Sequence, residues 1–165
     1  MLAEYNGNIY IANVKSNQVV LLTYDYNKVI DGFERNKDYF KKVVSIDDPL
    51  LKNIYEIHYW VKYNDNSEKE GLLRVDEDRA VGLKADVEND IVVIDIPYNA
   101  LDDTWLQYDN GAAAKRINLL DCTEYYIEKR FIKYNKKTVN EVIEKKSVSL
   151  DVMKASMIMS RRVNL

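Results

Sequence analysis

The sequence predicts an α+β protein built mainly from an antiparallel β-sheet of hairpins, with short helices and a C-terminal pair of helices packed on the sheet. Runs of β-branched and aromatic residues alternate with short polar turns through most of the chain, and residues 54–63 alternate with a period of two. Helical spacing becomes clear only toward the end. Strands that come first and helices that come last favour α+β folds over parallel βαβ arrays.

The composition indicates one domain over residues 1–165, rich in strands over 1–137 and helical over 138–165. The chain has 47% hydrophobic and 31% charged residues, close to the values of ordinary globular domains. With 5 Gly and 2 Pro in 165 residues, it has no room for a flexible linker between two modules.

Two hairpins are predicted in the first half of the chain. Residues 9–14 and 18–24 are joined by a short polar turn, and residues 54–63 are followed by a polar stretch and the apolar run 72–75. Residues 33–44 combine helical spacing with strand-forming residues, so a short helix and a strand both remain open there.

The second half supplies a central strand, a short helix and further strands. Residues 91–96 form a nearly continuous apolar run, which is typical of a strand buried on both faces. Asn99 can then cap a short helix. Strands are predicted over 117–120 and 125–134.

The C-terminal pair of helices is predicted over 139–146 and 150–161. Residues 138–141, Thr-Val-Asn-Glu, fit a capping box, in which the threonine and glutamate side chains satisfy backbone amides of the first turn. In the second helix Met153 and Met157 are four residues apart, so we expect both to face the sheet.

The sequence also predicts a cytoplasmic protein that does not contact a membrane. No apolar run approaches the roughly 20 residues that cross a bilayer, and the first residues lack the basic and apolar segments of a secretory signal. The single cysteine, Cys122, cannot form an intramolecular disulfide, which fits a reducing compartment.

Sequence motifs give no indication of catalysis. There is no GxxxxGK[ST], GxGxxG, HExxH, CxxC or GxSxG pattern, and one Cys with one His cannot build a Cys/His zinc site. Cys122 and His58 could meet as nucleophile and base, but a single cysteine beside a strand suits a buried structural role better. We therefore predict no enzyme, no catalytic residues and no cofactor.

Acidic residues leave a nuclease-like, metal-dependent enzyme open as a weaker alternative, with Asp95, Glu128 and Lys129 as one conceivable set. Carboxylates in turns usually cap backbone amides or face solvent, so no metal ligand is predicted. The acidic positions available to such a site are Asp47, Asp48, Asp76, Glu77, Asp78, Asp90, Asp95, Asp102 and Asp103.

Tyrosine is the most unusual feature of the composition, with 13 Tyr against 3 Phe and 2 Trp. Tyrosine combines a large contact area with a polar hydroxyl, which explains its enrichment in protein interfaces. The period of two places three tyrosines on one face of residues 54–63. The candidate partner-binding residues are Tyr55, Tyr59, Tyr63, Tyr125, Tyr126 and Tyr134.

A basic last third makes nucleic acid the alternative ligand. Residues 1–110 carry 12 basic and 21 acidic side chains, whereas residues 111–165 carry 12 and 6. Residues 125–137 interleave tyrosines with lysines, so bases could stack while phosphates are neutralised, and the predicted pair of helices has the lengths of a helix-turn-helix. The candidate residues are Lys129, Arg130, Lys133, Lys136, Lys137, Lys154, Arg161 and Arg162.

The leading prediction is a non-enzymatic protein-interaction module, such as a small inhibitor or an immunity or antitoxin-type protein that binds a partner protein. Three features favour it: the missing catalytic motifs, the abundant tyrosine and the segregated charge. Assembly of the chain into a homo-oligomer is left open.

Overall fold

The computed structural model describes residues 1–63, 71–76, 83–97 and 99–163. Within them the chain forms twelve β-strands, one α-helix and three short 3₁₀ helices. The predicted antiparallel sheet is confirmed, because every strand pair with a described register runs antiparallel. The elements are β1 (Leu2–Tyr5), β2 (Asn8–Lys15), β3 (Gln18–Thr23), β4 (Glu34–Asn36), β5 (Tyr39–Ser45), β6 (Leu51–Tyr63), β7 (Leu73–Asp76), β8 (Ile91–Ile96), β9 (Leu106–Asp109), β10 (Ala112–Asn118), β11 (Cys122–Tyr134), β12 (Lys137–Ser147) and α1 (Leu150–Val163).

The chain divides into two compact units that interleave along the sequence. Unit 1 consists of Met1–Ile57, Lys129–Glu144 and the segment that begins at Ser160, and unit 2 consists of the described parts of His58–Glu128 together with Lys145–Met159. Strands β6, β11 and β12 therefore each contribute residues to both units. The expectation of a single domain stays a prediction.

In unit 1, strands pair in the order β4-β5-β3-β2-β1-β6. The hairpin predicted over 9–14 and 18–24 is confirmed as β2 and β3, joined by a turn with Ser16 at a φ of 52°. One face of this sheet buries Tyr5, Leu21 and Ile54, each at most 2% exposed. The core of the unit follows the alternation of apolar residues in the sequence.

Residues 33–44, for which helix and strand were both open, form strands β4 and β5. Lys37, at a φ of 52°, lies in the turn between the two strands. Phe40 of β5 faces Arg35 of β4 on one side and Thr23 of β3 on the other. Pairing on both sides decides in favour of the strand, because it satisfies the backbone groups of β5.

The helix predicted over 139–146 is wrong, because these residues belong to strand β12. Asn135 and Lys136 have φ values of 48° and 68°, the left-handed pair of a two-residue type I′ turn, and β12 pairs with β11. The Asn135 amide donates to Asn53 Oδ1 (2.8 Å) and the Lys136 amide to the Lys52 carbonyl (2.8 Å). A long paired strand outweighs the local capping preference that predicted a helix.

In unit 2, strands pair in the order β6-β7-β8-β10-β9. The hairpin predicted over 54–63 and 72–75 is confirmed as β6 and β7. Strand β8, predicted as a buried central strand, pairs with β7 on one side and β10 on the other. Its buried residues, each at most 1% exposed, are Val92, Val93, Ile94 and Ile96.

Two local predictions in unit 2 are wrong. Asn99 does not cap a helix, because its side-chain oxygen accepts from the Gly111 amide (3.1 Å) in a loop. The strand predicted over 117–120 ends at Asn118, whose side chain caps the 3₁₀ helix Leu119–Asp121. In both places an asparagine side-chain oxygen accepts from a backbone amide, Gly111 for Asn99 and Leu120 for Asn118, in a conformation other than the predicted one.

The second predicted C-terminal helix is confirmed as α1, which begins after Ser149. Met153 and Met157 are 0% and 2% exposed, as their spacing predicts, and Ser156 Oγ lies 2.9 Å from the Tyr59 hydroxyl. Within the described ranges, the fold thus has one C-terminal helix in place of the predicted pair. No helix among the described residues has the length and apolar character needed to span a membrane.

Candidate functional site

An open cavity of about 430 Å³ lies within unit 1. Strands β1, β2, β6, β11 and β12 contribute to its lining, so residues that are distant in sequence meet there. Its volume falls within the roughly 300–1,000 Å³ typical of ligand pockets. The lining residues are Glu4, Gly7, Ile9, Lys52, Asn53, Tyr55, Lys129, Phe131, Tyr134, Asn135 and Glu144.

Three aromatic side chains in mutual contact form the apolar part of the lining. The ring centroids of Tyr55 and Phe131 are 5.3 Å apart, and those of Phe131 and Tyr134 are 4.8 Å apart in a T-shaped arrangement. Tyr55 and Phe131 are buried, whereas Tyr134 is half-buried. Because neighbouring rings fix one another, Tyr55 and Phe131 hold the half-buried Tyr134 ring in place, and Tyr134 is the ring of the three that a ligand can reach.

Lys129 adds a positive charge beside the aromatic rings. Its Nζ lies 4.8 Å from the centroid of the Tyr55 ring, within the range of a cation–π interaction. The residue is half-buried, and among the described residues its ammonium pairs with no carboxylate. Within the described ranges, the cavity therefore presents a cation without a carboxylate counter-ion.

Glu4, by contrast, is paired. Lys52 Nζ lies 3.4 Å from Glu4 Oε1, and the Asn53 side-chain amide donates to Glu4 Oε2 at 2.7 Å. Asn53 is 9% exposed, and its oxygen accepts from the Asn135 amide. One nearly buried amide thus joins a carboxylate on β1 to the turn between β11 and β12.

Glu144 is also engaged. Its Oε1 accepts from the Tyr134 hydroxyl at 2.9 Å. This hydrogen bond, together with the negative charge of Glu144, raises the pKa of Tyr134 above its usual value of 10.0. The protonated phenol thus donates to the Glu144 carboxylate and holds it in place.

Of the six predicted tyrosines, the structure brings only Tyr55 and Tyr134 to the cavity. The other four lie in unit 2. Tyr59 is fully buried, and Tyr63 lies under the Lys115 ammonium at 5.3 Å. The hydroxyls of the remaining two are occupied: Tyr125 donates to the carbonyls of Leu119 and Cys122, and Tyr126 donates to Glu124.

The predicted basic residues do not share one environment. Lys129 lines the cavity, whereas Lys133 is 2% exposed and donates to the Ile46 carbonyl. Burial lowers the pKa of Lys133. Lys154 forms an ion pair with Asp90, so its charge is already balanced.

Three further basic residues, Arg130, Lys136 and Lys137, are exposed, and the side chains of Arg161 and Arg162 lie outside the described part of the chain. The helix-turn-helix interpretation is wrong, because the first of its two helices is strand β12. The exposed basic residues therefore offer no recognition helix pair to a DNA groove.

Acidic residues do not converge within the described ranges, where no three His, Cys, Asp or Glu side chains are grouped to hold a metal ion. Asp95 accepts from the Tyr108 hydroxyl at 2.5 Å, and Asp102 accepts from Thr104. Asp48 accepts from the backbone amide of Leu50. The side chain of Asp76, together with Glu77 and Asp78, lies outside the described residues.

The proposed pair of Cys122 and His58 gains no support. Cys122 is buried, and burial raises the pKa of its thiol to about 12. The thiolate needed for nucleophilic attack is therefore scarce at neutral pH. His58 Nδ1 lies 2.9 Å from Arg74 Nη2.

The sequence did not single out Glu4, Asn53, Phe131, Asn135 or Glu144 as site residues. Phe131 lies inside the aromatic and basic segment 125–137, so that pattern could have included it. No local signal marks Asn53 or Glu4, because they meet the rest of the cavity only through strand pairing.

Comparison of the chain with protein-family models, with curated proteins and with solved structures finds no match.

Proposed function

We propose that this protein is a non-enzymatic interaction module, of the inhibitor or immunity type, that binds a partner protein through the cavity of unit 1. The observation that carries the proposal is the wall of packed rings formed by Tyr55, Phe131 and Tyr134 in an open cavity of about 430 Å³. Aromatic pockets of this kind receive the anchoring side chains that dominate protein interfaces.

The surroundings of these rings support binding. Lys52 and Lys129 supply positive charge and Glu4 and Glu144 negative charge next to the apolar wall. Interfaces combine a buried apolar centre with a polar periphery that fixes orientation. Ile9, 42% exposed, adds apolar surface to the same lining.

The lining chemistry favours binding over catalysis. Both carboxylates are engaged, Glu4 by Lys52 and Asn53 and Glu144 by Tyr134. The described lining also includes no Cys, His, Ser or Thr that could act as a nucleophile or proton shuttle. The groups present can hold a ligand in position.

The test is to block the cavity with a single bulky residue. Ile9→Trp adds a large ring to the lining at an exposed position, so the core stays intact. Ile143→Trp is the matched control, because Ile143 is 45% exposed on β12 of the same unit and does not line the cavity. Affinity capture from the native host, followed by titration of the purified partner, compares both variants with wild type.

We expect one stoichiometric partner that binds wild type and Ile143→Trp equally, and binds Ile9→Trp at least about tenfold more weakly, since loss of an interface anchor typically costs more than about 1 kcal/mol. Equal binding of the partner by both variants would place the interface elsewhere. Recovery of no stoichiometric partner by any form of the protein would contradict the proposal.

A further inference from the structure

The charged side chains around the cavity of unit 1 differ in whether they have a partner within the protein. Glu4 is paired with Lys52 at 3.4 Å, and Glu144 accepts from the Tyr134 hydroxyl at 2.9 Å. Lys129 is the remaining charged lining residue, and in the described part of the chain it has no carboxylate partner. Both carboxylates of the lining thus have a hydrogen-bond donor within the protein, whereas the Lys129 ammonium can still donate to an anionic group.

The position of Lys129 also strengthens its attraction to a bound anion. Its Nζ lies 4.8 Å from the Tyr55 ring centroid, and the residue is half-buried. An aromatic ring and partial burial remove water from the ammonium, so a counter-ion there is screened less than on an open surface. An anion would also complete the coordination of the ammonium, which has three donors.

The apolar part of the ligand follows from the same geometry. Tyr55 contacts Lys129 and also packs against Phe131, which in turn contacts Tyr134. A carboxylate bound at Lys129 therefore lies in the same cavity as the half-buried Tyr134 ring. The ligand should carry a ring or an aliphatic chain close to its carboxylate.

We propose that the cavity recognises an acidic side chain followed by an aromatic one in the partner protein, with the carboxylate paired to Lys129 and the ring packed along Tyr134. This inference rests on the proposed function, because it names the partner chemistry of the same site. A free aromatic carboxylate shares that chemistry but lacks the flanking peptide groups that Asn135 and the nearby backbone can contact.

Four probes test the proposal on the full chain. Acetyl-Glu-Phe-amide carries the required chemistry, acetyl-Gln-Phe-amide lacks only the charge, acetyl-Lys-Phe-amide reverses it, and 3-phenylpropionate represents the free carboxylate. Binding is followed by NMR titration of the side-chain amides of Asn53 and Asn135. We expect the Glu peptide to bind about tenfold more tightly than the Gln peptide, the factor expected for a charge-assisted hydrogen bond in a partly buried site.

Variants of the protein assign this preference to a residue. Lys129→Gln should abolish the difference between the Glu and Gln peptides, whereas Lys137→Gln, which removes the same charge from an exposed position of unit 1, should retain it. Lys52→Gln should reduce it only slightly, because Lys52 is already paired with Glu4. Sodium chloride should weaken binding of the Glu peptide and leave binding of the Gln peptide unchanged.

Three outcomes would overturn the proposal: equal binding of the Glu and Gln peptides, tighter binding of the Lys peptide, or binding of no peptide. Tighter binding of 3-phenylpropionate than of the Glu peptide would also overturn it, because the carboxylate that the cavity recognises would then belong to a small molecule. The blocking experiment with Ile9→Trp does not alter Lys129, so partner capture can depend on the cavity even if these probes fail. The two proposals therefore fail separately.

Discussion

Units 1 and 2 each place a lysine of the β11–β12 hairpin over aromatic rings, but they balance its charge differently. In unit 2 the Lys145 ammonium lies 4.5 Å from the centroid of the Trp60 ring and 5.7 Å from that of Tyr126, and 3.9 Å from Glu128 Oε2. In unit 1 Lys129 lies over Tyr55 with no carboxylate partner in the described residues.

This difference in counter-ions indicates that the contact between lysine and ring has a structural role at Lys145 and a binding role at Lys129. Glu128 is 5% exposed, so its charge is stabilised inside the protein by Lys145. Lys129 borders a cavity instead, and its charge is available to a ligand. Lys129 is thus a candidate binding residue, because the described residues supply Lys145 with a carboxylate partner and Lys129 with none.

The largest effect is expected at a fully buried side chain of unit 2. Met153→Ala should lower the free energy of unfolding by about 2 to 5 kcal/mol, because Met153 is fully buried and truncation leaves a cavity. Val152→Ala, one residue earlier and 52% exposed, serves as the control and should cost less than about 1 kcal/mol. Urea denaturation measures both. An unchanged midpoint for Met153→Ala would show that α1 is not part of the core.

The comparison of the two lysines is tested directly by the same substitution in each unit. Methionine keeps the length of the side chain and a favourable contact with the rings, so it isolates the charge. Lys145→Met should cost about 1 to 2 kcal/mol of stability, because the buried Glu128 loses one of its partners, the Lys145 ammonium. Lys129→Met should change stability by less than about 0.5 kcal/mol. Equal costs in thermal and urea unfolding would remove the distinction drawn between the two residues.

The smallest effect concerns the tyrosine–carboxylate pairs. Glu144→Gln should lower the pKa of Tyr134 toward 10.0, because the raised pKa comes first from the hydrogen bond to Glu144 and next from its charge. A raised pKa means that the folded state favours the neutral phenol. This contribution to stability is complete below pH 10 and is lost as the pH rises through the raised pKa of Tyr134.

Carbon-13 NMR of the labelled tyrosine rings follows this titration. Glu124→Gln is the matching control in unit 2, since Tyr126 donates to Glu124 at 2.7 Å and its pKa is raised by the same cause. Glu144→Gln should change only the pKa of Tyr134, and Glu124→Gln only the pKa of Tyr126. A shift of Tyr134 in the Glu124→Gln variant would mean that the two pairs are not independent.

Much of the fold was predictable because its signals are local. The hairpins β2–β3 and β6–β7 and the buried strand β8 follow from alternating or continuous apolar runs bounded by polar turns. Met153 and Met157 follow from helical spacing. In these segments the local preference and the tertiary partner agree.

The errors arose where a tertiary partner overrides a local preference. Residues 138–141 resemble a helix start, but the turn at Asn135 and Lys136 pairs them with β11. That turn was missed because it contains no glycine, although asparagine tolerates a positive φ. Asn99 resembles a helix cap, but the Gly111 amide is its actual partner.

The candidate site could be predicted only in part. The abundance of tyrosine, and the alternation of tyrosines with lysines in residues 125–137, predicted Tyr55, Tyr134 and Lys129 as binding residues. These three meet at the cavity. The same patterns also selected Tyr59 and Lys133, which the fold buries. Composition cannot distinguish a tyrosine in a cavity wall from one in the core, because that depends on which strands pair.

The nearly buried amide of Asn53 has a consequence for folding order. It joins Glu4, 49 positions away, and the Asn135 backbone, 82 positions away. Contacts of such sequence separation form late, after local hairpins such as β2–β3, because a long loop must close first. During synthesis on the ribosome, the lining of the cavity cannot be completed before Glu144 has emerged. The chain should therefore acquire binding competence only after Glu144 has emerged, and a nascent chain interrupted between Tyr63 and Tyr125 would carry the tyrosines of β6 without the rest of the cavity lining.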